Sequence, residues 1–252
     1  MYVEFGGSGP GILLLHGLMG RASTWWPVAG WLREYGRVVG LDARGHGLDP
    51  RRGGPWRTED FVADAAALLR ELDLGPAVVV GHSMGGLHAW ELAAAHPGLV
   101  RAVVVEDFAP DQRGRTVEDW RGWFDSWPVP FPSLAHVREF FEPLGDYFVE
   151  CVRERADGYH LLAHMDDLYE IAAEWGGRDY WAGVDRVRCP LLAIEPEHSA
   201  MPAGQLVELA ARAGGGLGRH LVVAGAGHVV HRDAPDTYRG AVEAFLSEVL
   251  GR

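Results

Sequence analysis

Apolar residues fall along this chain in two alternating patterns. The first is a set of short continuous runs: Ile12 to Leu15, Val38 to Leu41, Ala77 to Val80, Val100 to Val105 and Pro190 to Ile194. Runs of this length without polar alternation predict strands buried on both faces of a parallel sheet. A weaker run at His220 to Val223 predicts the last strand, and Tyr2 to Phe5 a short edge strand before a Gly- and Pro-rich turn. The second pattern has helical spacing. Thr58 is expected to cap a helix to about Leu72, with Phe61, Val62, Ala65, Leu68 and Leu69 on its apolar face. Further helices are expected at Trp25 to Glu34, Leu87 to Ala95, Ala203 to Ala213 and Pro235 to about Leu250. Strand and helix in alternation define an α/β protein with a mostly parallel, doubly wound sheet and its active loops at the strands' C-terminal ends.

The alternation breaks between residues 109 and 188, where no buried strand is evident. Trp120, Trp123, Phe124, Trp127, Phe140 and Phe141 crowd the first half of this segment, and Tyr169, Trp175, Tyr180 and Trp181 the second. A linker would be polar, so a helical insertion packed over the sheet is expected. The core is then residues 1–108 with 189–252, and the insertion is 109–188.

Composition narrows the class of partner. With 252 residues and 48% hydrophobic content the chain can bury one sizeable core. A net charge of -12 without a basic stripe argues against nucleic acid. The start of the chain lacks the basic and apolar segments of a signal peptide, and no apolar run approaches a membrane span. A cytoplasmic protein that engages no membrane is expected, with its oligomeric state open. Cys151 and Cys189 are isolated and suggest no disulfide framework.

The chemistry is concentrated at Gly81-His82-Ser83-Met84-Gly85-Gly86, placed between an apolar strand and an amphipathic helix. A G-x-S-x-G pentapeptide in that context predicts a nucleophile elbow, in which Ser83 sits on a strained turn with its hydroxyl exposed. Side chains at Gly81 or Gly85 would collide with neighbouring backbone. The N–H groups that open the following helix would face whatever the serine attacks. A serine hydroxyl needs an adjacent base to act as a nucleophile at neutral pH.

Four motifs then follow in order: His16-Gly17, Asp42-Ala43-Arg44-Gly45-His46-Gly47, the Ser83 pentapeptide, and Gly225-Ala226-Gly227-His228. Over nearly its whole length the chain resembles the α/β-hydrolase superfamily. That resemblance implies a cap inserted after the sixth strand, where the aromatic segment begins, and a shortened first hairpin ahead of His16. It places the catalytic histidine at His228. With the mechanism, it assigns the oxyanion-hole N–H groups to Leu18 and Met84, with Leu18 and Met19 lining the pocket floor.

The acid is less direct. The family's usual acid turn, after Leu191 to Ile194, reads Glu195-Pro196-Glu197-His198-Ser199 and holds no aspartate. Asp107, in Glu106-Asp107-Phe108-Ala109-Pro110, resembles the D-x-A-P turn of a branch of small esterases and is the first choice. In that branch a serine supports the histidine from the vacated position, which here would be Ser199. Glu197 is the next candidate acid, then Glu106 or Glu195.

The implied activity is a serine hydrolase acting on small to medium carboxylic esters or thioesters. Ser83 argues against an aspartate-nucleophile dehalogenase or epoxide hydrolase, and His82 in place of asparagine disfavours a carbon-carbon hydrolase. An acyltransferase, a cofactor-free haloperoxidase-like enzyme and a slow-turnover ligand sensor remain alternatives. No glycine fingerprint for a dinucleotide or phosphate is present, and no cofactor is expected. His160 and His164, four apart on an expected helix with Asp166 and Asp167 beyond, are read as packing or pocket residues in preference to a metal site.

Overall fold

The computed structural model describes residues 1–115 and 117–252; Thr116, inside the expected insertion, lies outside them. Strands β1 (Tyr2–Gly6), β2 (Gly11–Leu15), β3 (Arg37–Leu41), β4 (Ala77–His82) and β5 (Val100–Glu106) alternate with helices α1 (Trp26–Leu32), α2 (Thr58–Glu71) and α3 (Met84–Ala95). The segment after β5 carries α4 (Val117–Asp125), α5 (Leu134–Phe140), α6 (Gly145–Val149), the hairpin β6 (Val152–Arg155) and β7 (Gly158–Leu161), α7 (Met165–Gly177) and α8 (Trp181–Val184). The main sheet resumes with β8 (Leu191–Pro196), α9 (Gln205–Arg212) and β9 (Gly218–Val223), and the chain closes with α10 (Val230–Asp233) and α11 (Pro235–Leu250).

Among the described residues the main sheet has seven strands in the order β1-β3-β2-β4-β5-β8-β9. Only β1 is antiparallel to its neighbour. It stands alone where the family has a first hairpin, so the strand that the family counts sixth is β5 here. The unbroken apolar runs are explained by the two-faced core. Leu13, Leu15, Val79, Val103 and Val105 point into one hydrophobic cluster with α2 and α3. Their neighbours Ile12, Leu14, Val78, Val80 and Val104 point into a second cluster with α1 and α11. The strand order reverses between β2 and β4, which opens a crevice beyond their C-terminal ends.

Three expectations change in detail. Thr58 is the first residue of α2, not its cap. Its N–H and hydroxyl both donate to the Glu174 carboxylate, at 2.8 Å each. A carboxylate from α7 therefore closes the N-terminus of α2, an arrangement that contributes about 1 kcal/mol. The segment from Trp25 begins as a 3-10 turn at Ala22–Trp25, and α1 follows with Pro27 in its first turn. The aromatic segment is not wholly helical: β6 and β7 pair antiparallel, and His160 lies on β7. His164 precedes α7 in extended conformation. The two histidines share no helical face, and His160 is hydrogen-bonded to Asp157 at 2.8 Å.

Candidate active site

The loops after β2, β4, β5, β8 and β9 converge over the crevice. At the end of β4 Ser83 has φ 52° and ψ -124°, a conformation that side chains rarely adopt. Two glycines make this turn possible. A Cβ on Gly81 would strike the carbonyl oxygen of Gly85, and a Cβ on Gly85 would strike that of Leu15. The turn is fixed from below, because the Ser83 N–H donates to the Glu106 carbonyl at 2.8 Å. The helix that starts at Met84 leaves its first N–H groups without intrahelical acceptors, directly beside the serine. The His16-Gly17 loop passes so close that a Cβ on Gly17 would lie 3.1 Å from that of Ser83. This brings Leu18 to the same spot.

Asp107 is fully buried and also has a positive φ, 46°. Its N–H donates to the Ile194 carbonyl at 3.0 Å, which locks the turn onto β8. One carboxylate oxygen meets His228 Nδ1 at 2.6 Å, and the other accepts from the Ser199 hydroxyl at 2.6 Å. Ser199 thus reaches the carboxylate that holds His228. Each of the other candidate acids has a different partner. Glu106 holds His231 Nδ1 at 2.9 Å, Glu195 holds His220 Nε2 at 2.6 Å, and Glu197 accepts from the Gly225 N–H at 2.7 Å.

Ser83 and His228 open on one cavity of about 540 Å³. Leu18 and Met19 form part of its wall, as expected, and the aromatic segment supplies much of the rest, including Trp120, Phe141 and Trp175. Within the wall Phe141 stacks on Phe148 with centroids 3.8 Å apart, and Trp175 meets Phe108 edge-on at 5.1 Å. The cavity is therefore an apolar chamber with a few polar groups in its wall, the usual make-up of a small-molecule site.

Three polar groups here were not legible as site residues. His82 donates from Nε2 to the His228 carbonyl at 2.9 Å and so braces the loop that carries His228. His231 is buried against Glu106, stacked on Trp25 at 4.6 Å. Gln112 lines the chamber and is only 3% exposed. The clue for Gln112 was its place a few residues past the Asp107 turn, on a strand-end loop.

Burial lowers the pKa of His46, His82 and His88 to about 3 each. At His82 the Glu106 carboxylate opposes that shift, while His228 and His231 reinforce it. These rings fold neutral, but in the unfolded chain they bind protons below about pH 6.5. The unfolded state therefore holds more protons between about pH 6.5 and 3, and stability falls as pH drops through that window. Each ring contributes up to about 1.4 kcal/mol per pH unit. Thermal midpoints measured from pH 7 to 4 should fall steeply, and His88→Gln should make the fall shallower. A flat profile would contradict neutral burial of these rings.

The sheet, the strained serine turn and the Asp107–His228 contact at the strand ends are those of an α/β hydrolase. The chain belongs to the alpha/beta hydrolase fold family, whose model matches residues 10–151. It is 38% identical over 251 residues to a 2-(acetamidomethylene)succinate hydrolase of Mesorhizobium japonicum, covering 95% of this chain and 89% of that protein. An esterase of Mycobacterium tuberculosis is 30% identical over 252 residues, covering 92% of this chain and 81% of the esterase. The crystal structure of an E-2-(acetamidomethylene)succinate hydrolase superposes with a TM-score of 0.88 at 25% identity, covering 98% of this chain and 94% of that one. Hydrolase chemistry on a small molecule is common to these relatives. Among the described residues no helix is long and apolar enough to cross a membrane.

Proposed function

We propose that the protein is a serine hydrolase that cleaves carboxylic esters or thioesters through an acyl-enzyme on Ser83. The observation that carries this reading is the buried Asp107 carboxylate 2.6 Å from Nδ1 of His228, a residue that lines the same chamber as Ser83. Asp107 fixes the tautomer in which Nε2 carries the free lone pair. His228 Nε2 takes the proton as Ser83 Oγ bonds to the acyl carbon. The N–H groups of Leu18 and Met84 hold the tetrahedral oxyanion. As the carbon–oxygen or carbon–sulfur bond breaks, His228 passes its proton to the departing alcohol or thiol. Water then attacks the acyl-enzyme with the same histidine as base, the acid departs, and Ser83 regains its proton. Ser199 keeps one Asp107 oxygen aligned and leaves the other for His228.

Residues 109–188 serve as the cap that closes the chamber, and Glu174 ties it to α2. Hydrolysis of p-nitrophenyl esters of increasing acyl length tests this reading. Rapid multiple turnover with an optimum at a small to medium chain is expected. A single burst without turnover, or no reaction along the series, contradicts routine ester hydrolysis.

A further inference from the structure

The chamber wall carries information about the substrate that the reacting groups do not. The chain contains no lysine, so its permanent side-chain cations are arginines. None of them lines the cavity among the described residues. Arg115 comes to the rim, where it donates to the carbonyl of Ala200, and Arg121 lies over the Tyr169 ring at 4.4 Å. The one carboxyl group on the described wall is that of Glu142, which is exposed. A substrate carboxylate would lose its hydration here and gain no guanidinium in return.

One neutral group stands out against that apolar wall. Neither Nε2 nor Oε1 of Gln112 has a hydrogen-bond partner among the described residues. Buried amides are normally paired, and Gln112, a chamber-lining residue whose amide donor and acceptor are both buried and unpaired, fits a ligand that supplies both complements once the side chain turns to it. A site of this kind favours the matching polar group over an alkyl chain of equal length.

We propose that the chamber takes an uncharged substrate whose acyl part ends in an amide or similar neutral hydrogen-bonding group, held by Gln112. Dicarboxylates such as the succinates named for the Mesorhizobium relative are disfavoured. This rests on the reading of Ser83 as the reacting group, but the wall chemistry can be tested apart from it. The probes are three p-nitrophenyl esters of similar length: 4-acetamidobutanoate, heptanoate and hydrogen adipate. The amide ester is expected to exceed the heptanoate about tenfold in kcat/KM, through KM. The anionic adipate is expected about 100-fold below the heptanoate. In Gln112→Leu the amide-to-heptanoate ratio should fall about tenfold, with the change in KM. An adipate rate equal to the heptanoate rate, or no amide preference in the wild type, overturns the proposal even if the variant does not fold.

Binding to Ser83→Ala separates the two readings, with the fluorescence of Trp120, Trp123 and Trp175 as reporter. Saturable quenching by N-butylacetamide but not by glutarate supports the wall chemistry even if no ester is hydrolysed. Equal or stronger binding of glutarate overturns it whatever the turnover.

Discussion

Ser83→Ala is expected to lower kcat for ester hydrolysis by on the order of 10⁶-fold while the protein stays folded. The size of the loss follows from the division of labour at the site. Without Oγ there is no acyl-enzyme, and His228 has no proton to move. What survives is substrate positioning and the N–H pair, which by themselves give on the order of 10³–10⁴ over water. The fold should tolerate the change. The hydroxyl is not part of the core, and the backbone of the turn is held by the Ser83 N–H to Glu106 carbonyl bond, which alanine retains. A thermal midpoint near the wild-type value, with turnover gone, is the expected pair of readings. Activity that persists would move the chemistry to another residue.

Asp107→Asn is expected to cost on the order of 10⁴-fold in kcat with little change in KM. The asparagine amide can donate to Nδ1, which stabilises the tautomer with its proton on Nε2. That tautomer cannot accept from Ser83. The imidazolium formed during attack would also lose the carboxylate 2.6 Å away. Glu197→Gln is the comparison. Its carboxylate accepts from the Gly225 N–H, and near-wild-type rates are expected. If Glu197→Gln were the more damaging of the two, the acid would have to be reassigned.

The parts of the structure that sequence made legible are those with local causes. β2 and β4 read as strands because alternate residues enter opposite cores, leaving no polar position in either run. The serine turn was readable because two glycines are required by backbone atoms that a Cβ would strike. The expectations that changed depend on residues far away in the chain. Thr58 looked like a cap, but its acceptor Glu174 comes from the insertion. Sequence spacing puts His160 on a helix because Val152–Arg155 and Gly158–Leu161 bury little more than Leu161, so the hairpin has no apolar signature.

Sequence places Asp107 first among four carboxylates on its D-x-A-P turn but gives no partner for any of them, since each sits near a strand end. Three-dimensional pairing separates them: Glu106, Glu195 and Glu197 have other partners, and Asp107 alone of the four meets His228. Gln112 was illegible for a similar reason. A glutamine in a loop is usually solvated, and only the aromatic wall around it makes its unpaired amide informative.

The most direct measurement is intact-mass and peptide mapping after treatment with an alkyl fluorophosphonate, followed by p-nitrophenyl ester turnover on the same sample. The expected result is one adduct per chain, located on Ser83, with turnover lost in proportion to labelling and little labelling in His228→Ala. An adduct elsewhere, or full labelling of Ser83 with turnover intact, would contradict a nucleophilic Ser83.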